Sequence, residues 1–144
     1  MGMKKYFAVL ICLTLISSLY ISCNKDPGSG GTSFIRGKVW VKQYDKTFST
    51  LTYSYGGYNQ TVYILYGTSL SPNNNVKTDY DGNFEFQYLR EGSYKIYVYS
   101  SDSAAVAGPP INPNAPQKAV VKNVEITSGD QTVDVGTIEI AINK

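Results

Sequence analysis

The fold of this chain is decided by residues 78–100, which read TDYDGNFEFQYLREGSYKIYVYS. Phe84 and Phe86 alternate with polar residues, and the segment 94–98 alternates in the same way after a short turn. Alternation with a period of two residues is typical of a β-strand that buries one face. The Asp-Gly pair at 81–82 predicts a tight hairpin turn before the first of these strands.

The same pattern recurs along the chain after residue 33, and no segment there has the 3.6-residue period of an amphipathic helix. About seven short strands in one domain predict an all-β antiparallel sandwich. We expect these strands at 34–41, 62–66, 76–80, 84–87, 94–99, 119–126 and 133–142. The alternation slips at Gly136, which predicts a β-bulge. The predicted inward-facing residues are Ile35, Val39, Val41, Val62, Ile64, Phe84, Phe86, Leu89, Tyr94, Ile96, Val98, Val121, Val124, Ile126, Val133, Val135, Ile138 and Ile140.

Residues 78–98 follow the pattern T-x-x-D-G-x-F-x-F-x-x-L-x-x-G-x-Y-x-I-x-V. This stretch resembles the most recognisable part of carboxypeptidase regulatory-like domains, which are also called prealbumin-like or transthyretin-like. Residues 34–39 are similar to the opening strand of that family, and residues 124–140 to its last hairpin. The resemblance covers residues 34–142 and implies a single seven-stranded Greek-key β-sandwich. It implies little about function, because relatives serve as accessory, stalk or surface modules and the fold is not catalytic in most of them.

The N-terminal segment has the features of an export signal. Lys4 and Lys5 precede residues 6–21, which are apolar apart from one threonine and two serines. This run is shorter than the roughly 20 residues that span a bilayer as a helix, and it fits a cleavable signal peptide. Ser22-Cys23 follows directly and resembles the lipobox of bacterial lipoproteins, which implies cleavage before Cys23 and acylation of that residue.

These features predict three regions. Residues 1–22 form the signal peptide, residues 23–33 the lipidated cysteine and a flexible Gly/Ser-rich linker, and residues 34–142 the β-sandwich. The lipid on Cys23 makes the membrane the first expected partner. Asn24 after the cysteine favours the outer membrane, and the periplasmic face and the cell surface both stay open as locations.

Composition excludes several classes of function. The chain contains no histidine, which removes His-based triads, dyads and zinc motifs. Two of the 13 basic residues lie in the signal peptide, and all 11 acidic residues follow Cys23, so the exported chain is formally neutral in its side chains. It has no basic run, which makes nucleic acid an unsuitable partner. We therefore expect no enzymatic activity and no cofactor or metal.

Aromatic residues are the remaining candidates for a ligand site. The strand pattern leaves residues 42–59 as a long loop rich in tyrosine, and long loops on a rigid scaffold often carry function. Aromatic rings stack on sugars and suit protein interfaces, so the partner would be a glycan or another envelope protein. The candidate ligand-binding residues are Trp40, Tyr44, Tyr53, Tyr55 and Tyr58, beside the outward-facing Tyr63, Tyr97 and Tyr99. The alternative is a purely structural or accessory module, in which these rings pack against the sandwich.

A second long loop, residues 101–117, is rich in proline and glycine. Within it, Asp102-Ser103-Ala104 matches a short pattern that some Gram-negative envelope proteins use for O-glycosylation. Ser103 is therefore a candidate modification site.

Overall fold

The computed structural model describes residues 26–103 and 116–144, and this part of the chain is all-β. No helix in these two ranges is long and apolar enough to cross a membrane. The eight strands are β1 (Ser29–Tyr44), β2 (Leu51–Gly56), β3 (Thr61–Tyr66), β4 (Asn74–Lys77), β5 (Asn83–Leu89), β6 (Gly92–Ser101), β7 (Gln117–Ile126) and β8 (Thr132–Asn143).

The strands form two four-stranded sheets that pack face to face. In the first sheet, β1 is central, with β2 and β5 along one of its sides and β8 along the other. In the second sheet, the strand order is β4-β3-β6-β7. All pairings are antiparallel except β1 with β8, which is parallel. The fully antiparallel, seven-stranded arrangement expected from the sequence is therefore corrected in two ways: β2 is an additional strand, and β8 runs parallel to β1.

The parallel pair follows from how the chain changes sheets. Strand β7 belongs to the second sheet, and the chain crosses back to the first sheet before β8 begins. Parallel neighbours require a crossover of this kind, because a tight hairpin can only join antiparallel strands. The turn at Asp81-Gly82 also crosses between the sheets, since β4 and β5 lie in different sheets. It is therefore not the hairpin that the Asp-Gly pair predicted.

The core lies between the two sheets, and the predicted inward face is confirmed at most positions. Its buried hydrophobic residues are Ile35, Val39, Val41, Val62, Ile64, Phe84, Phe86, Leu89, Tyr94, Ile96, Val98, Val124, Ile126, Ile138 and Ile140. Val133 and Val135 are partly buried against it. Val121 was predicted to face inward but is 51% exposed. Residues of a strand share a face only when they lie an even number of positions apart, and Val121 lies an odd number of positions from the buried Val124. Val121 therefore faces outward, where it pairs with Tyr97.

Strand β1 begins at Ser29, within the segment 23–33 whose composition indicated a linker. The small residues there allow the chain to lie close against its neighbours. A Cβ at Gly31 would stand 2.0 Å from the carbonyl oxygen of Leu89, so only glycine fits. Gly28 is also held, because its N–H donates to the Tyr94 hydroxyl at 3.0 Å and its carbonyl accepts from the Arg90 N–H at 2.8 Å. The predicted bulge is present, since the β1–β8 register shifts beside Gly136.

We expect Phe86→Ala to lower the free energy of unfolding by about 3–5 kcal/mol, because it removes a buried ring and leaves a cavity in the core. Urea denaturation measures this change. Gln87→Ala on the same strand is the matched control, since Gln87 is exposed, and it should change the free energy by no more than about 0.5 kcal/mol. Equal effects of the two substitutions would contradict the assignment of the core face.

Candidate functional site

The segment 42–59, predicted as a long loop, is a β-hairpin. Strand β1 extends to Tyr44, and β2 returns antiparallel beside it. Asp45 stabilises the turn, because its carboxylate accepts hydrogen bonds from the N–H groups of Ser49 and Thr50 at 2.8 and 3.3 Å. The prediction missed β2, although Leu51, Tyr53 and Tyr55 alternate with small polar residues as a strand requires.

Tyr53 and Tyr55 form the β2 aromatic face, and they are 67% and 39% exposed. A register shift between Gln43 and Tyr44 separates them from Leu51, which pairs with Tyr44. Cross-strand partners share a face, and Tyr55 pairs with the buried Val41, so the β2 aromatic face lies on the side of the first sheet that faces the core. These side chains nevertheless lie outside the core, because no buried residue of β2 packs into it.

Trp40 and Tyr44 lie on the opposite face of the same sheet. Trp40 pairs with Gly56, and its indole N–H donates to the Ser54 hydroxyl at 2.5 Å. The ammonium group of Lys38 lies 5.2 Å from the centre of the Trp40 ring, within the range of a cation–π interaction. Tyr44 packs against Phe48 in the hairpin turn, with ring centroids 5.5 Å apart. The structure therefore does not bring these two candidates together with Tyr53 and Tyr55.

Tyr58 lies just beyond β2 and stacks on Tyr80, with ring centroids 4.4 Å apart and planes within 3°. Both rings are largely exposed, at 51% and 81%. The buried Thr78 connects the two segments, because its hydroxyl donates to the Gly57 carbonyl and accepts from the Gln60 N–H at 2.7 Å. The sequence analysis did not name Tyr80 as a candidate, although its position directly before the Asp-Gly turn indicates an exposed ring.

A separate tyrosine cluster lies on the outer face of the second sheet. Tyr63 stacks on Tyr97 at 4.9 Å, and Tyr99 meets both rings edge-on at 5.7 and 5.3 Å. The exposed Val121 is the cross-strand neighbour of Tyr97. Because this cluster belongs to the other sheet, the predicted set of aromatic residues is divided among several surfaces.

Two further candidates lie at or beyond the edges of the described ranges. Ser103 is exposed, and the neighbouring Asp102 forms an ion pair with Lys118 at 3.2 Å. Cys23 and residue 104 of the glycosylation pattern lie outside the described residues. Modification of Ser103 and lipidation of Cys23 both stay predictions.

The charged groups of the first sheet line an open groove of about 660 Å³ on its outer face. Arg36 and Asp134 form an ion pair across this groove at 3.4 Å. Hydrogen bonds from the side chain and the main chain of Asn83 hold the pKa of Asp79 below its usual range, so Asp79 is unsuited to act as a general acid near neutral pH. Within residues 26–103 and 116–144, no group of three or more acidic, cysteine or histidine residues could hold a metal ion.

No protein-family model and no curated protein matches the chain. Among solved structures, the chain is similar to a Pseudomonas aeruginosa protein described as a candidate carbohydrate-binding protein, with 15% identity, 80% of this chain and 91% of that chain covered, and a TM-score of 0.48. It is also similar to an (S)-allantoin synthase, with 10% identity, 80% of this chain and 42% of the enzyme covered, and a TM-score of 0.39. These similarities are too low to carry an argument about function.

The tyrosine cluster predicts a loss of stability at alkaline pH. Burial raises the pKa of Tyr97 to about 12, and the adjacent Tyr99 and Tyr63 add to the effect. Tyrosine in the unfolded chain ionises near pH 10, so the contribution of Tyr97 is complete below about pH 10 and is lost as the pH rises towards 12. The free energy of unfolding should therefore fall less steeply over this range in Tyr97→Phe than in the wild type. Parallel pH profiles for the two proteins would contradict the raised pKa.

Proposed function

We propose that this protein is a non-enzymatic binding module of the bacterial envelope, anchored by a lipid on Cys23, which contacts a neutral glycan or a protein surface through the β2 aromatic face and Tyr58. We further propose that its sandwich belongs to the carboxypeptidase regulatory-like, prealbumin-like class, on the motif at residues 78–98.

The observation that carries the binding proposal is the exposure of Tyr53, which has 67% of its surface open to solvent. A tyrosine on a strand usually gains its stability by packing against a neighbouring element, and that packing is missing here. Large aromatic side chains that are exposed as a group are typical of surfaces that bind a partner. The hydroxyl groups beside the rings suit ligands that combine apolar faces with hydrogen-bonding groups, as sugars do.

Electrostatics support an uncharged ligand. The exported part of the chain is formally neutral, so no long-range field attracts an ionic partner. The β2 strand, LTYSYG, contains no charged residue. Contact at this surface therefore depends on short-range stacking and hydrogen bonds.

We expect replacement of Tyr53, Tyr55 and Tyr58 by alanine to abolish binding to a glycan array while leaving the melting temperature nearly unchanged. The rings are exposed, so their removal costs little packing, and stacking interactions with the ligand are lost. The matched control is Tyr88→Ala, which removes an equally exposed ring from β5 and should leave binding intact.

A large loss of stability in the triple variant, without any ligand on the array or in a screen of envelope proteins, would favour the alternative. The protein would then be a structural or accessory module whose tyrosines hold the hairpin in place.

The proposal of a lipid anchor is based on the basic residues, the apolar segment and the cysteine of the N-terminal region. We expect Cys23→Ala to abolish acylation and to move the protein from the detergent phase to the aqueous phase, or to leave it unprocessed. Metabolic labelling with a fatty acid and phase partitioning measure this. Unchanged labelling of Cys23→Ala would refute the assignment, and Cys12→Ser is the control that should retain the lipid.

A further inference from the structure

The residues directly before β1 are fastened to one end of the sandwich. Pro27 lies between two turns, because a Cβ at Gly92 would stand 2.5 Å from its ring and one at Gly67 would stand 3.5 Å from it. Gly28 is buried, and both its N–H and its carbonyl group are hydrogen-bonded to other parts of the domain, at 3.0 and 2.8 Å. The chain is therefore fixed to the body of the domain from Pro27 onwards.

This attachment leaves a short stretch of chain between the proposed lipid and the domain. Only residues 24–26 separate Cys23 from Pro27. Even when fully extended, a stretch of this length spans at most about 14 Å. An acylated cysteine lies at the level of the lipid headgroups, and the headgroup layer of one leaflet is roughly 5–7 Å thick. Acylation of Cys23 therefore holds Pro27 at or close to the membrane surface.

Three connections between strands lie at the same end of the sandwich as Pro27. The N–H of Gly67 donates to the Ser93 carbonyl at 2.8 Å, and Gly92 pairs with Ile126, so the connections are close together. They are the β3–β4 loop (67–73), the β5–β6 turn (90–91) and the β7–β8 turn (127–131). Because the tether is short, these connections are the part of the domain that faces the lipid.

The β3–β4 loop presents a leucine at this end. Leu70 is 98% exposed, more than any other large hydrophobic residue of the described ranges. Hydrogen bonds hold the loop in shape, because the Ser69 hydroxyl donates to the Ser71 carbonyl and the Tyr66 N–H donates to the Asn73 side chain, both at 2.8 Å. The loop sequence, GTSLSPN, includes no charged residue, so no charge has to leave water if the tip of the loop enters an apolar phase.

A single exposed leucine is common on protein surfaces and does not by itself indicate a partner. The position of Leu70 does, because it lies at the end of the domain that the tether holds against the lipid. The two neighbouring turns carry Arg90, Glu91 and Asp130, so their charges nearly cancel. Attraction to anionic lipids is therefore weak, and contact at this end depends on the anchor and on the leucine.

We propose that the end of the sandwich formed by these three connections docks on the membrane, with the side chain of Leu70 inserted among the lipids. This inference rests on the proposed acylation of Cys23 and adds an orientation to it. Strand β1 has 16 residues and extends for about 50 Å from this end. Tyr53 pairs with Gln43, next to the far end of β1, so the β2 aromatic face is held away from the lipid.

A fluorescent label at Leu70 measures the orientation. Cleavage before Cys23 removes Cys12, and acylation consumes the Cys23 thiol, so Leu70→Cys carries the only free thiol of the processed protein. The acylated protein is reconstituted in vesicles of phosphatidylethanolamine and phosphatidylglycerol. We expect a nitrobenzoxadiazole label on this cysteine to emit at shorter wavelength and to be quenched by spin-labelled lipids. Lys46→Cys is the control, because Lys46 is also exposed but lies in the hairpin turn at the opposite end, and its label should stay in water.

A charge at position 70 tests the insertion independently. Thr68→Cys places the label in the same loop, at another exposed residue. Because transfer of a carboxylate into an apolar phase is unfavourable, adding Leu70→Asp should abolish the spectral shift and the quenching of this label. Leu70→Met keeps an apolar side chain and should retain both signals. Circular dichroism shows whether each variant remains folded.

Mass spectrometry of the same preparations separates this inference from the proposed function. If Cys23 is acylated but the labels at Leu70 and Lys46 are quenched equally, or if Leu70→Asp changes nothing, the docking is wrong and the lipid anchor stands. If Cys23 carries no lipid, the anchor and the docking both fail. Glycan binding by the β2 aromatic face is measured on the array and does not depend on either result.

Discussion

The main chain of Val39 is the point on which the first sheet depends. Its N–H bonds to Gly82 and its carbonyl to Gly57, so one residue of β1 serves both β5 and β2. Two turns must therefore meet at a single point beside β1. A Cβ at Gly56 would stand 2.3 Å from the Asp81 carbonyl oxygen, and one at Gly82 would stand 2.3 Å from that of Val39, so neither turn tolerates a side chain.

This junction determines where the exposed tyrosines lie. Strand β1 pairs with β5 only as far as Lys38. The part of β1 from Trp40 onwards therefore has room for β2 on the same side. That part of β1 includes the buried Val41, but its partner β2 lies at the edge of the sheet and buries no side chain. The exposure of Tyr53 and Tyr55 is thus a consequence of the division of β1 between two partners, and not of a flexible loop.

The core could be predicted from the sequence because burial imposes a period of two on Phe84, Phe86 and their neighbours, whatever the strands pair with. The β2 strand was missed, although Leu51, Tyr53 and Tyr55 alternate with small polar residues, because no buried residue marks it as part of the sandwich. The parallel pairing of β1 and β8 could not be predicted, because alternation within a strand does not report its partner. The error at Val121 has a different origin, because Val121 and Val124 lie an odd number of positions apart and cannot share one face of a regular strand.

The candidate site shows the same limit, because tyrosine has several roles in this protein and composition does not distinguish them. Tyr94 is buried, and its hydroxyl is satisfied by the Gly28 N–H at 3.0 Å and the Arg90 carbonyl at 2.6 Å, so it fastens the start of β1 to the turn before β6. Tyr97 packs within a cluster on the other sheet. Tyr53 has neither a hydroxyl partner nor a ring partner among the described residues. Because the Tyr53 ring packs against no other ring of the described residues, its exposure on the edge strand β2 is the feature of this molecule that favours a partner.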